Sequence, residues 1–162
     1  MKRRTCYIML ALMIGVIVSG VALFVQMHRL TEVVYAKNVE DELAEELYCD
    51  SLELLAICVQ AEAGNQPLIG RRMVADVILN RVDDPDWPDT IEGVITQRYQ
   101  FSSYWDGGMD RVYEPDELTI KAVQMELKQR SWPGIYYFRT GRYSSYGTPW
   151  KKVGDHYFST KK

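Results

Sequence analysis

The spacing of apolar and polar positions divides the chain into segments of different character. From Tyr7 to Met27 no charge interrupts a run made mostly of Leu, Ile, Val, Met and Ala. As a helix, those 21 residues span about 31 Å, the thickness of a hydrocarbon core. From Leu52 to Gly64 apolar residues return on a 3.6-residue period, which predicts a helix. Asp50 and Glu53 have capping-box spacing at its start, and Gly64-Asn65-Gln66-Pro67 ends it. A second helix is predicted from about Leu68 to Val82, with Ile69, Met73, Val74, Val77 and Ile78 on its apolar face. The turn-rich loop Asp83–Asp89 follows, and Thr90 caps a short helix reaching Gln97. Arg98 to Glu114 has little periodicity. A third helix is predicted from about Pro115 to Gln129, with Pro115 in its first turn and Leu118, Ala122, Val123, Met125 and Leu127 as apolar contacts. Ile135–Phe138 and Val153–Phe158 read as two strands joined by a Gly/Ser/Tyr loop. Helices first and a small hairpin last predict an α+β domain behind one N-terminal transmembrane helix.

Charge sharpens this division. Residues 1–6 form a basic start, with Lys2, Arg3 and Arg4 ahead of the apolar run, so the N-terminus is expected in the cytoplasm. Residues 7–27 are then the membrane anchor, with the remainder outside. A signal peptide cleaved near Ala22 or Ala36, which would release a secreted domain, is the alternative. Residues 28–50 carry seven acids and two bases, as expected of an acidic helical stalk. Residues 51–162 are long enough for one core, and their 15 acids and 14 bases leave them nearly neutral. No basic stripe points to nucleic acid. Three cysteines and two histidines supply neither a disulfide framework nor a zinc ligand set, so no metal or cofactor is expected. Cys58 has the setting of a core residue rather than of a nucleophile.

Glu62 stands out chemically. It falls on the helix side of Leu55, Cys58 and Val59, and no Lys or Arg lies three or four positions away. Desolvation disfavours a charged carboxylate, so a raised pKa is expected there. An acid that keeps its proton near neutral pH can protonate a leaving group. The competing expectation is a helix-end Glu that simply reaches water. Aromatic residues are skewed as well: 14 of the 19 lie between Tyr99 and Phe158, many beside Gly and Ser. Flat aromatic faces with polar edges suit sugar rings, although a thin core also uses them for packing.

A succession of motifs completes the picture. Ala61-Glu62-Ala63 is followed by Gly70 with Val74-Ala75 and Val77, then Leu79-Asn80-Arg81-Val82 and Trp87-Pro88-Asp89-Thr90-Ile91. Gln100-Phe101-Ser102, Tyr136-Tyr137-Phe138 and Gly154-Asp155-His156-Tyr157-Phe158 come next. In this order, from about Leu52 to Phe158, the chain resembles the SleB-type cell-wall hydrolases, the spore-cortex-lytic enzyme family. The resemblance implies a small lysozyme-related fold and cleavage of peptidoglycan glycan strands. It places the family's glutamate on Glu62, as the single acid/base of a lytic transglycosylase acting between N-acetylmuramic acid and N-acetylglucosamine. It puts Gln100, Phe101 and Ser102 in the cleft wall. Tyr104, Trp105, Tyr136, Tyr137, His156 and Asn80 are further candidates for substrate contact. Asn80 either braces the site or caps its helix, and His156 reads as a hydrogen-bonding residue of the last strand. Asp106 is the candidate second carboxylate if the chemistry is two-carboxylate hydrolysis instead.

Two departures from the family pattern matter. Gly64-Asn65-Gln66 stands where relatives often carry a charged residue and a Gly-Glu pair. A membrane anchor stands where some relatives have a peptidoglycan-binding module. Spore cortex and vegetative wall therefore both stand as substrates. A non-catalytic, membrane-tethered glycan-binding module is the alternative reading, and no protein partner is legible.

Overall fold

The computed structural model describes the backbone of residues 2–162 and the side chains of residue 9 and of residues 12–162. The basic start Met1–Arg4 and Cys6 lie outside the described side chains. Helix α1 (Lys2–Ala63) runs through position 50 without a break. Asp50 and Glu53 are thus interior helix positions and not a cap. The physical reason is that residues 28–51 contain no Gly or Pro and many good helix formers. One compact unit ends at Leu47, and a second spans Tyr48–Lys162. In the first, apolar side chains such as Leu23, Phe24 and Leu30 are exposed. By length and composition α1 contains a segment able to cross a membrane.

The second unit is built from the end of α1, helix α2 (Leu68–Val82), the short helices α3 (Ile91–Ile95) and α4 (Ser102–Trp105), a 3₁₀ turn at Met109–Arg111, helix α5 (Glu117–Lys128) and three strands. Leu55, Cys58 and Val59 from α1, Met73, Val74, Val77 and Ile78 from α2, Val94 and Ile95 from α3, and Val123 from α5 are all buried in one core. Ile135 and Phe158 complete it. Burying a side chain of this size contributes about 1.5–3 kcal/mol. Ile69 is an exception to the expected α2 face, being 41% exposed. Thr90 caps α3 as expected, its hydroxyl accepting from the Gly93 N–H. Asp116 caps α5 by accepting from the Thr119 N–H, so Pro115 precedes the helix and is not in its first turn.

Helix α5 departs from its apolar pattern. Leu118 and Met125 are exposed, while Thr119 and Glu126 are fully buried. Two arginines on α2 explain the exchange. Arg71 donates to Thr119 Oγ1 at 2.6 Å and to the Gln66 carbonyl at 2.9 Å, and also pairs with Asp116 and the Gly64 carbonyl. Arg72 Nε donates to Glu126 Oε1 at 2.5 Å. Glu126 also accepts from the Ser131 N–H, and Asp76 of α2 from the Trp132 N–H at 2.7 Å. Burial and then the hydrogen bond with Glu126 push the Asp76 carboxyl up to about 7.

The sheet has three strands, β1 (Ile135–Thr140), β2 (Thr148–Val153) and β3 (His156–Thr160), in the order β1-β3-β2 with both pairings antiparallel. The hairpin is β2–β3, and Val153 belongs to β2. Gly154 turns this hairpin at φ 55°, and a Cβ there would lie 2.0 Å from Gln66 Oε1. Gln66 both donates to the Asp155 carboxylate and accepts from its N–H, each at 3.0 Å. The segment after α1 is thereby fastened to the β2–β3 turn.

Candidate active site

Glu62 lies one residue before the end of α1, half-buried, on the side of Leu55, Cys58 and Val59. Its Oε1 accepts from the Ser103 hydroxyl at 2.6 Å and from the Ser103 N–H at 3.3 Å. Among the described residues no Lys, Arg or His nitrogen lies within 4.0 Å of it. The carboxyl group is thus oriented by a neutral donor and carries no counter-cation. Ser103 was not legible as a site residue. The neighbouring Ser102 is exposed, in the first turn of α4, and Ser103 is buried. The available clue was the Ser-Ser pair opening a short helix, which leaves the choice between its two members to the fold.

Backbone shape holds Ser103 in place. Gly107 adopts φ 74°, and a Cβ on Gly108 would lie 2.8 Å from Ser103 Cβ. Gly108 therefore lets the following turn close over Ser103. Asp106 caps α4 and accepts from the Gly108 N–H at 2.9 Å. Its carboxylate is exposed and 3.8 Å from Arg111 Nη2. Tyr104 and Trp105, next along α4, are 41% and 59% exposed and meet edge to face at 5.1 Å.

The loop leading to Ser103 rests on Arg81. This guanidinium, 4% exposed, donates through Nη1 to Gln100 Oε1 at 3.0 Å and through Nε to the Tyr136 carbonyl at 2.9 Å. It lies 5.5 Å from the Phe101 ring, 5.6 Å from Tyr137 and 5.9 Å from Trp87. Burial lowers the pKa of Arg81 to about 10, and it remains a cation at neutral pH. Phe101 is buried against Phe138. Tyr136 stacks on Trp87 at 5.1 Å, and Tyr137 meets Tyr146 at 6.4 Å. Asn80 is buried, its amide donating to the carbonyls of Trp132 and Ile135 at 2.8 and 2.9 Å. His156 is buried between Phe138 and Phe158, its Nδ1 has no partner, and burial lowers its pKa.

The structure thus forms two adjoining groups in sequence. Glu62 and Ser103 are followed on α4 by the exposed Tyr104 and Trp105. Gln100, Phe101, Tyr136 and Tyr137 gather on Arg81. Asn80 and His156 serve the packing behind the second group. Burial, and then the nearby Glu62 charge, hold the Cys58 thiol well above its usual range, so Cys58 is an inert core residue. Among the described residues no cluster of His, Cys, Asp or Glu is suited to a metal ion.

Residues 65–159 match the Cell Wall Hydrolase family. The chain belongs to that family. The matched segment contains Asn80, Arg81, Gln100–Ser103 and the sheet up to Ser159 of β3, and it begins three residues after Glu62. The chain is 36% identical over 120 residues to the spore cortex-lytic enzyme of Halalkalibacterium halodurans, covering 68% of this chain and 35% of that protein. It is 33% identical over 119 residues to the Bacillus subtilis spore cortex-lytic enzyme, covering 67% and 37%. The chain thus spans little more than a third of the length of these relatives. Among solved structures, the catalytic domain of Bacillus cereus SleB is similar with a TM-score of 0.60 and 29% identity, covering 68% of this chain and 89% of that domain. The catalytic domain of the germination-specific lytic transglycosylase SleB from Bacillus anthracis gives a TM-score of 0.59 at 28% identity, covering 68% and 93%. As a cell-wall hydrolase fold, the α+β arrangement expected from the sequence is present, with a third strand added to the hairpin.

Proposed function

We propose that this chain cleaves the glycan strands of peptidoglycan as a lytic transglycosylase, with Glu62 as its single acid and base. The observation that carries the reading is the Glu62–Ser103 pair: a half-buried carboxyl group, oriented by one hydroxyl at 2.6 Å and, among the described residues, with no Lys, Arg or His nitrogen within 4.0 Å. The likeness to a lytic transglycosylase domain supports it. In the first step protonated Glu62 gives its proton to the glycosidic oxygen, and the bond from muramic acid C1 to that oxygen breaks. The resulting carboxylate then takes the proton of the muramic acid C6 hydroxyl, and O6 bonds to C1. A 1,6-anhydro ring forms, Glu62 regains its proton, and no water is consumed. Tyr104 and Trp105 offer exposed faces for sugar rings beside the acid. Residues 7–27 act as a retained anchor, with residues 28–50 as a stalk and residues 51–162 as the catalytic domain outside the membrane.

The whole chain in detergent micelles is expected to clear a suspension of purified peptidoglycan and release soluble fragments. Sedimentation with the wall and no release would instead identify a binding module. Ser103→Ala removes the hydroxyl donor and leaves the backbone N–H. It is expected to lower kcat about tenfold with KM unchanged, because it loosens the acid without touching sugar. Equal losses in kcat for Ser103→Ala and for the exposed neighbour in Ser102→Ala would count against this role. Asp106→Asn keeps the acceptor for Gly108 and is expected to retain activity within about twofold. A hundredfold loss would favour two-carboxylate hydrolysis.

A further inference from the structure

Charge is segregated within the second unit. Residues 51–134 hold fourteen acids and eight bases. Residues 135–162 hold six bases, Arg139, Arg142, Lys151, Lys152, Lys161 and Lys162, and only Asp155 as an acid. Lys161 is engaged by Asp84 and Asp86. Among the described residues, Arg139, Arg142, Lys151 and Lys152 have no carboxylate within 4.0 Å, and all four are exposed.

Strand register gathers these cations. Arg139 on β1 pairs with Tyr157 on β3, and Tyr157 with Lys152 on β2. Directly paired residues share a face, so Arg139, Tyr157 and Lys152 form one row. Two strand spacings put the outer two about 10 Å apart. The Lys152 ammonium lies 5.0 Å from the Tyr157 ring, and Tyr143 meets that ring edge-on at 5.1 Å. Tyr143 brings Arg142, its neighbour in the chain, to the same end of the sheet. The alternate residues His156 and Phe158 are buried, so the row occupies the outward face. Cations on edge strands ordinarily prevent edge-to-edge pairing. That role does not require like charges in one cross-strand row, where they repel each other.

We propose that the row Arg139–Tyr157–Lys152, with Arg142 and Tyr143, docks a phosphate-bearing polymer of the cell wall. Guanidinium and ammonium groups bind phosphate oxygens, the former through two parallel hydrogen bonds. The aromatic faces between them suit the C–H surfaces of a sugar or polyol backbone. A polymer whose charges recur along its length matches cations set in a row. A lipid surface fits less well, because the row carries no exposed aliphatic side chain to enter the acyl region. The proposal takes from the functional reading only the placement of the domain outside the membrane. It does not depend on Glu62.

The test uses the whole chain in nanodiscs of neutral phosphatidylcholine. Sedimentation is measured with insoluble wall whose phosphodiester polymers are intact, and with the same wall after hydrofluoric acid has removed them. Wild type is expected to bind intact wall at least about tenfold more tightly than stripped wall, with affinity falling steeply as salt rises. Arg139→Glu combined with Lys152→Glu should bind both walls equally, at the stripped-wall level. The control Lys121→Glu with Lys128→Glu on α5 should bind as wild type does. Fragment release from stripped peptidoglycan should be the same in wild type and the Arg139/Lys152 variant, which separates docking from folding and from cleavage. Equal binding of wild type to the two walls would overturn the proposal, as would undiminished binding of the Arg139/Lys152 variant to intact wall. Displacement from intact wall by phosphatidylglycerol vesicles, but not by soluble poly(glycerol phosphate), would assign the row to lipid and overturn it too.

Discussion

Glu62→Gln is expected to lower fragment release from peptidoglycan about a thousandfold, within the 10²–10⁴ range that a positioned acid or base contributes. The substitution is nearly isosteric. Its carbonyl oxygen can still accept from the Ser103 hydroxyl, now 2.6 Å from Glu62 Oε1, so the end of α1 should keep its geometry. What is lost is the proton given to the glycosidic oxygen and the carboxylate that later takes one from the C6 hydroxyl. Both steps use the same group, and Asp106, the candidate second carboxylate, is turned to the Gly108 N–H. The loss should therefore fall on kcat, with wall binding preserved. A folded Glu62→Gln chain retaining a tenth or more of wild-type activity would show that the proton comes from elsewhere.

Arg71→Met is expected to be the most destabilising single change beside the site. Arg71 joins three elements: it donates to the carbonyls of Gly64 and Gln66 just beyond Glu62, to Thr119 of α5, and to the cap residue Asp116. Thr119 in turn donates to Gln60 Oε1 at 2.7 Å, which returns the network to α1. Removing the guanidinium leaves these acceptors unpaired at a cost of about 3 kcal/mol, or roughly 12 °C in the unfolding midpoint for a domain of this size. Tryptophan fluorescence reads this directly, since Trp87, Trp105, Trp132 and Trp150 all lie in the second unit. The effect depends on pH. The hydrogen bond from Arg71 holds the Asp116 carboxyl down to about 2, against about 3.9 for an ordinary Asp. The folded state then binds that proton less readily than the unfolded chain. The contribution is complete above about pH 4 and is lost as the pH falls through about 2. Arg71→Met should flatten this acid dependence as well as lower the midpoint. An unchanged midpoint at pH 7 would mean that the network is dispensable.

Much of this was legible in the sequence, because the responsible signals are local. The side of α1 bearing Leu55, Cys58, Val59 and Glu62 follows from helical period alone. The Thr90 cap and the stop at Gly64 follow from short-range hydrogen bonding and backbone freedom. The features that escaped are set by partners distant in sequence. Strand β2 contains Pro149 and two lysines and does not alternate. It exists because β3 supplies its hydrogen bonds, with an irregularity at Pro149–Lys151 and Pro149 confined to an edge strand. Without β2, the cation row across the sheet had no visible basis. Burial of Thr119 and Glu126 depends on Arg71 and Arg72, about fifty residues away. The choice of Ser103 over Ser102 depends on how α4 meets the end of α1 and on Gly108 closing behind it.

If one carboxyl group performs both proton transfers, the ends of the released fragments report on it. Mass spectrometry of the soluble products from wild-type chain and purified peptidoglycan should find new muramic acid ends as 1,6-anhydro sugars, each lighter by one water than a reducing end. Reducing muramic acid ends as the main product would rule out the single-carboxylate route, since they require a water molecule that this route does not use.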